Sequence, residues 1–207
     1  MYQLVTANEA LNLADNGKAR IIDVRGPPEF GLGHPPGSIS LPYSARGLAS
    51  RLGILISNEK PLIILANEQD QLQGAAEQLA SSPFQLAAAI DIDNVSSKLG
   101  EILSAKVDEL SVSNLIGGEY TILDVREQIE WEMGYIPQSI LISLGDLNDR
   151  IDELKTHSKI AVICEAGIRS SSAVSVLLAN GFTNVFDVPG GTAECRAENV
   201  SLAYYES

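Results

Sequence analysis

The chain has 207 residues, of which 45% are hydrophobic and 20% are charged, a balance that suits a globular protein with one large domain or two domains of about 100 residues each. Its 27 acidic residues outnumber its 14 basic residues, and the net charge of −13 is unfavourable for binding nucleic acid, whose phosphates have to be neutralised by Lys and Arg. The apolar runs are too short to cross a membrane and the N-terminus lacks the features of a signal peptide, so we expect a cytoplasmic protein that does not contact membranes.

The first half of the chain shows the alternation of strands and helices that is typical of an α/β domain. Thr6 followed by Glu9 forms a capping-box pattern, which predicts the start of a helix. The later elements are short strands at residues 21–24, 38–41 and 62–66 and a helix at residues 71–79. The strand at 62–66 is apolar throughout, which indicates burial on both faces and therefore parallel neighbours.

The second half repeats this pattern. Ile-Ile-Asp-Val-Arg at residues 21–25 recurs as Ile-Leu-Asp-Val-Arg at residues 122–126, roughly 100 residues later. The other matched segments are Glu29-Phe30 with Glu130-Trp131, residues 33–36 with 134–137, residues 38–39 with 139–140, and residues 62–66 with 160–164. After the match at 160–164, the pattern predicts a helix at 170–179, a strand at 184–188 and a turn at 189–191.

Duplication explains these matches, and it predicts the fold class. We expect an α/β protein of two similar domains, each a short parallel sheet with helices on both faces. The domains are placed at residues 1–100 and 108–207. A linker is expected between residues 93 and 111, with helical character around residues 96–102.

The segment with the strongest functional signal is residues 164–171, which read Cys-Glu-Ala-Gly-Ile-Arg-Ser-Ser. It follows a buried strand and opens a helix, the place where open α/β sheets bind ligands. A loop there can turn its backbone N–H groups inward around an anion, and the helix N-terminus favours the thiolate form of Cys164. Gly167 allows the loop to curl, and Arg169 adds a fork of donors for an anionic substrate.

These motifs together resemble those of the rhodanese superfamily. They are Asp-Val-Arg, then Glu-Phe or Glu-Trp, then Gly-His/Tyr-x-Pro-x-Ser-Ile, then a strand leading into Cys-x-x-Gly-x-Arg-Ser, then Gly-Phe-x-Asn-Val and Gly-Gly. The resemblance covers nearly the whole chain, once in each half, and it implies that Cys164 accepts a sulfane sulfur as a persulfide. It further implies that the sulfur is cradled by the backbone amides of five residues, which are Glu165, Ala166, Gly167, Ile168 and Arg169.

The same resemblance implies the partners and cofactors. The partners are small sulfur donors such as a persulfide, a polysulfide or thiosulfate, with a thiol or cyanide as acceptor and a sulfur-donor protein as a further candidate. No cofactor is required, and two histidines and two cysteines without a Cys-x-x-Cys pair indicate no metal site. More narrowly, a cysteine-less domain followed by an active one is similar to the rhodanese pair found C-terminal to metallo-β-lactamase-fold persulfide dioxygenases.

The first half departs from this pattern. Ala66 stands at the position of Cys164, and the segment Asn-Glu-Gln-Asp-Gln at residues 67–71 has neither the glycine nor the arginine. Its acidic residues would repel an anion. We therefore expect the first domain to be an inactive scaffold, or a surface that shapes the neighbouring site.

Several other residues have a structural interpretation beside a functional one. Asp124 and Arg126, like Asp23 and Arg25, are expected to form an ion pair that ties a strand end to nearby loops, with a direct catalytic role as the alternative. Ser170 is expected to support the loop. Cys195 is interpreted as a small core residue, with a resolving thiol as the alternative.

Two further interpretations of the site stay open. A phosphatase or arsenate reductase would need one more residue between the cysteine and the arginine than the four present at 165–168. A non-catalytic sulfur carrier or interaction module of a sulfide-handling pathway is compatible with the loop, because Glu165 puts a negative charge where many relatives have a basic residue. That charge predicts a preference for persulfide or polysulfide over the thiosulfate dianion.

Overall fold

The computed structural model describes residues 3–92 and 103–204. Contacts between residues divide the chain into two compact units, Met1–Lys106 and Val107–Ser207. The helical stretch expected at residues 96–102 lies outside the described residues.

The first unit contains one sheet of five parallel strands in the order β1-β5-β4-β2-β3. The strands are β1 (Gln3–Leu4), β2 (Arg20–Asp23), β3 (Ile39–Ser40), β4 (Leu62–Ala66) and β5 (Leu86–Asp91). The helices are α1 (Ala7–Asp15), α2 (Pro27–Leu32), α3 (Leu48–Leu55) and α4 (Gln69–Leu79). The predicted capping box is confirmed, because Thr6 accepts a hydrogen bond from the backbone of Glu9 and the Glu9 carboxylate accepts one from the backbone of Thr6.

The second unit repeats this architecture, with five parallel strands in the order β6-β10-β9-β7-β8. The strands are β6 (Asp108–Glu109), β7 (Thr121–Asp124), β8 (Ile140–Leu141), β9 (Ile160–Ile163) and β10 (Val185–Val188). The helices are α5 (Val112–Gly117), α6 (Gln128–Trp131), α7 (Leu147–Arg150), a 3-10 turn (Ile151–Leu154), α8 (Ile168–Ala179) and α9 (Gly191–Ala197). The predicted fold class is confirmed: each unit is a parallel α/β sheet with helices.

Apolar strands explain why helices pack on the sheets. In the first unit, Ile63 and Leu65 of β4 join Ala10 of α1 in one buried cluster. Because side chains alternate along a strand, Ile64 faces the opposite side of the sheet, and α4 also packs on β4. In the second unit, Ile163 of β9 lies in a cluster with residues of α5 and α9, while α8 packs on β9 and β10.

The Asp-Val-Arg motif forms the predicted ion pair in both units. The Arg25 guanidinium donates to the Asp23 carboxylate at 2.6 Å, and the Arg126 guanidinium donates to Asp124 at 2.7 Å. Each arginine also donates to a carbonyl eight residues later, that of Gly33 or Gly134. The pair therefore fixes the end of β2 or β7 to the turn after the next helix.

The parallel register of the second unit brings three strand ends to one edge of the sheet. Ile163 of β9 lies opposite Asp124 of β7 on one side and Val188 of β10 on the other. Residues that follow these strands, including Cys164, therefore lie at the carboxyl edge of the sheet, where α/β folds bind ligands.

Candidate active site

Cys164 is the first residue after β9, and only 1% of it is exposed. Residues 165–167 form a short bend, and α8 begins at Ile168, two residues earlier than the sequence predicts. The earlier start follows from Gly167, which caps the helix in the left-handed conformation with φ +83°. The thiol therefore lies beside the N-terminus of a 12-residue helix.

The orientation of the loop is fixed by hydrogen bonds from α9. Thr192 N donates to the Cys164 carbonyl at 2.8 Å, and Ala193 N donates to the Glu165 carbonyl at 3.1 Å. In a trans peptide the N–H points opposite to the preceding C=O. The N–H groups of Glu165 and Ala166 are therefore turned away from α9.

These two N–H groups belong to a run of consecutive backbone N–H groups that have no hydrogen-bond acceptor among the described residues. Within the described range 103–204, none of the backbone N–H groups of residues 165–170 donates a hydrogen bond to another group of the protein. The groups in the first turn of α8 are unpaired because a helix offers them no partner. The series forms a set of donors suited to an anion at the end of β9.

Two glycines allow this arrangement by permitting close backbone contact. A Cβ on Gly167 would lie 2.8 Å from the Pro189 carbonyl oxygen. Gly191 adopts φ +60°, and a Cβ there would lie 2.6 Å from the Cys164 carbonyl oxygen. A side chain at Gly191 would therefore push against the backbone that holds the thiol.

The side chain of Arg169 is bound to Glu130, a residue of α6. Its two terminal nitrogens donate to the two carboxylate oxygens at 2.5 and 2.7 Å. These hydrogen bonds lower the pKa of Glu130 to about 2. The pKa of Arg169 is raised, first by its hydrogen bonds to Glu130 and further by the charges of Glu130 and Cys164. The guanidinium expected to bind a substrate anion is thus already paired with a carboxylate.

The side chain of Glu165 is paired as well. Its carboxylate accepts hydrogen bonds from the Arg196 guanidinium and, at 2.7 Å, from the Thr192 hydroxyl. Burial favours a higher pKa for Glu165, but these hydrogen bonds outweigh burial and lower it. Glu165 remains ionised, with its charge compensated by Arg196.

Comparison with known protein families shows to which family the chain belongs. The sequence profile of the rhodanese-like domain matches residues 6–95 and again residues 108–198. The chain belongs to the rhodanese family. The tandem arrangement predicted from the internal repeat is confirmed.

Curated rhodanese relatives match only part of the chain. YrkF of Bacillus subtilis is named as a candidate sulfur carrier protein. It is 40% identical over 70 residues, which are 34% of this chain and 38% of YrkF. The thiosulfate sulfurtransferase GlpE of Pseudomonas syringae is 33% identical over 70 residues, 34% of this chain and 66% of GlpE. A tRNA uridine(34) hydroxylase of Yersinia enterocolitica is 31% identical over 117 residues, 53% of this chain and 32% of the enzyme. The chain thus spans less than two thirds of each of these proteins.

Among solved structures, a rhodanese-related protein of Thermoplasma volcanium is 34% identical to this rhodanese chain. It aligns with a TM-score of 0.45 and covers 47% of this chain and 99% of its own.

The remaining predicted residues of the second rhodanese domain are buried near the loop or in the core. Ser170 lies fully buried in the first turn of α8, near Asp187, whose pKa burial raises to about 6. Cys195 is fully buried in the apolar cluster beneath the sheet, and burial raises the pKa of its thiol to about 11. These features fit a core role for Cys195 and make it a poor nucleophile.

Three residues of the site carried no assigned role in the sequence. Glu130 is visible there as the acidic residue matched to Glu29, but nothing identifies Arg169 as its partner 39 residues away. Thr192 and Arg196 follow the Gly-Gly turn at the start of α9, and only the fold brings them to Glu165. The first rhodanese domain offers a different loop, in which buried Ala66 is followed by Glu68 at the cap of α4 and Asp70 in its first turn.

Within the described ranges 3–92 and 103–204, no helix is both long and apolar enough to cross a membrane. No group of three or more side chains suited to a metal ion lies together in the same residues.

Proposed function

We propose that the chain is a sulfurtransferase that moves a sulfane sulfur through a persulfide on Cys164. The thiolate attacks the outer sulfur of a donor, the donor's sulfur–sulfur bond breaks, and its electron pair leaves with the released thiolate or sulfite. An acceptor thiolate or cyanide then attacks the outer sulfur of the enzyme persulfide and restores the Cys164 thiolate. The cycle needs no external oxidant or reductant.

The observation that carries this proposal is the series of unpaired N–H groups at residues 165–170 beside Cys164. A persulfide anion places its charge on the outer sulfur, one bond beyond the cysteine. Backbone donors and the N-terminus of α8 stabilise a negative charge there. In this proposal Glu165, Ala166, Gly167, Ile168 and Arg169 contribute backbone N–H groups, while Asp124, Arg126 and Ser170 hold the surrounding backbone.

The relatives support a sulfur-transfer role without fixing the donor. GlpE is named as a thiosulfate sulfurtransferase, and YrkF carries the name of a sulfur carrier. The likeness to tRNA uridine hydroxylases extends over a third of their length, and a net charge of −13 argues against an RNA substrate here. The persulfide donor is our proposal, motivated by sequence motifs that are similar to the rhodanese pair of persulfide dioxygenases.

The test is sulfur loading followed by turnover. Wild type is exposed separately to thiosulfate, glutathione persulfide and polysulfide, and mass spectrometry looks for one added sulfur atom on the peptide that contains Cys164. Cys164→Ser should accept no sulfur from any donor, because a hydroxyl is too weakly acidic to replace the thiolate. Cys195→Ala is the matched control and should load like wild type.

The same experiment separates an enzyme from a carrier. A sulfurtransferase releases the bound sulfur repeatedly to added thiol or cyanide, whereas a carrier loads once and turns over slowly. Loading on Cys195 in place of Cys164 would refute the assignment of the site.

A further inference from the structure

The ion pair between Glu130 and Arg169 joins α6 to the first turn of α8, directly after the loop that follows Cys164. It is partly buried, with 29% of the Arg169 side chain and 20% of the Glu130 side chain exposed. Both carboxylate oxygens are used by the arginine, and one also accepts from the backbone N–H of Glu127. A two-point pair of this kind holds the guanidinium more firmly than a surface ion pair would.

In this pair, Glu130 neutralises the positive charge of Arg169, which would otherwise attract a dianion. Glu130 stays ionised because the Arg169 hydrogen bonds keep its pKa near 2, so the guanidinium is neutralised at any physiological pH. The second charged side chain of the loop, Glu165, is neutralised in the same way by Arg196. What remains for a bound anion is the series of backbone N–H groups.

The residue that precedes each member of the pair is apolar and exposed. Ile129, beside Glu130, is 69% exposed, and Ile168, beside Arg169, is 56% exposed. Thiosulfate has no carbon atoms to contact such side chains. A persulfide of an organic thiol has a carbon atom bonded to the inner sulfur, next to the sulfur that is transferred.

We propose that Glu130 is the residue that sets donor specificity: it occupies Arg169 and so disfavours thiosulfate relative to an organic persulfide. The inference rests on the proposed sulfurtransferase function. With a persulfide, Cys164 takes the outer sulfur and a thiolate leaves with the electron pair of the broken bond. With thiosulfate, sulfite leaves, and the two charges of the donor have to compete with Glu130 for the arginine.

Glu130→Gln tests this directly. The amide oxygen can still accept the hydrogen bond from Glu127 N, so the start of α6 is preserved while the charge is lost. In single-turnover loading of Cys164, the rate divided by the half-saturating concentration should rise about tenfold for thiosulfate, because Arg169 gains a charge-assisted contact to the donor. The rise should come from a lower half-saturating concentration and should shrink at high salt, whereas the value for glutathione persulfide should change little.

Glu153→Gln is the matched control for charge. It removes the same negative charge from the exposed pair that Glu153 forms with Arg150, and it should leave both donors unaffected. Relative to the wild type, the double variant Glu130→Gln/Arg169→Gln should show no tenfold gain for thiosulfate, because the arginine that Glu130→Gln releases is gone.

A second variant keeps the inference testable if Glu130→Gln folds poorly. The double variant Glu130→Gln/Arg169→Gln should change loading from thiosulfate and from glutathione persulfide by the same factor, because it removes two charges that cancel each other in the wild type. A selective loss of thiosulfate loading in this double variant, or equal effects of Glu130→Gln on both donors, would overturn the role of Glu130. Failure of every donor to load wild-type Cys164 would instead refute the proposed function.

Discussion

Replacing Gly191 by Ala perturbs the loop through the backbone alone. The new Cβ would lie 2.6 Å from the Cys164 carbonyl oxygen and closer still to that of Glu165, whereas real Cβ atoms essentially never approach within 3.0 Å. The loop has to move by several tenths of an ångström. That movement weakens the hydrogen bonds from Thr192 N and Ala193 N, which orient the N–H groups of the loop.

The size of the effect follows from two contributions. A non-glycine residue in the left-handed conformation costs about 1–2 kcal/mol. Two weakened backbone hydrogen bonds cost about 1 kcal/mol each. We therefore expect Gly191→Ala to lower the free energy of unfolding of the second unit by about 3–4 kcal/mol and to slow sulfur loading of Cys164 by about tenfold or more.

Gly181→Ala provides the matched control. Gly181 is also left-handed, with φ +88°, but a Cβ there meets nothing within 4 Å. This variant should lose only the conformational contribution, about 1–2 kcal/mol, and should load sulfur at the wild-type rate.

The assay is denaturant unfolding followed by tryptophan fluorescence. Trp131 is the single tryptophan of the chain and lies buried in the second unit, so its emission reports the unfolding of that unit. Loading is measured in parallel by mass spectrometry. Equal destabilisation by the two substitutions, or normal loading by Gly191→Ala, would refute the argument that this close contact orients the loop.

Two other predictions concern the loop of the first domain and a buried acid. Ala66→Cys should gain no sulfur from any donor in mass spectrometry, because the acidic side chains of Glu68 and Asp70 follow it and the loop lacks the glycine and the arginine of the second domain; measurable loading would show that a thiol alone suffices. Burial raises the pKa of Asp187 from 3.8 to about 6, so the folded state retains a proton that the unfolded state has lost, and stability falls as pH rises from about 4 to about 6. Asp187→Asn should therefore raise the free energy of unfolding at pH 7 by about 2–3 kcal/mol over that of the wild type, as measured by denaturant unfolding. This gain should disappear towards pH 4, and a gain that is independent of pH would contradict a role for this titration.

Much of the fold is determined by local sequence pattern. The apolar runs at residues 62–66 and 160–163 predict buried parallel strands, since a strand covered on both faces has a continuous run of apolar residues. The repeat of Asp-Val-Arg predicts both ion pairs, because aspartate and arginine two residues apart at a strand end can reach each other in any such domain. The position of the candidate active-site loop is also visible in the sequence, because Cys164 directly follows the apolar run and Gly167 permits the turn into the next helix.

Other features are decided only by the tertiary structure. The two-residue edge strands β1 and β6 carry no pattern of their own and exist because β5 and β10 offer them a partner. The sequence offers Arg169 as a substrate ligand and Glu165 as an opposing charge. Long charged side chains reach whichever partner the fold brings near, so Arg169 binds Glu130, 39 residues away, and Glu165 binds Arg196, 31 residues away. The sequence determines which residues stand at the loop, whereas the packing of α6 and α9 against it decides which charges remain available to a substrate.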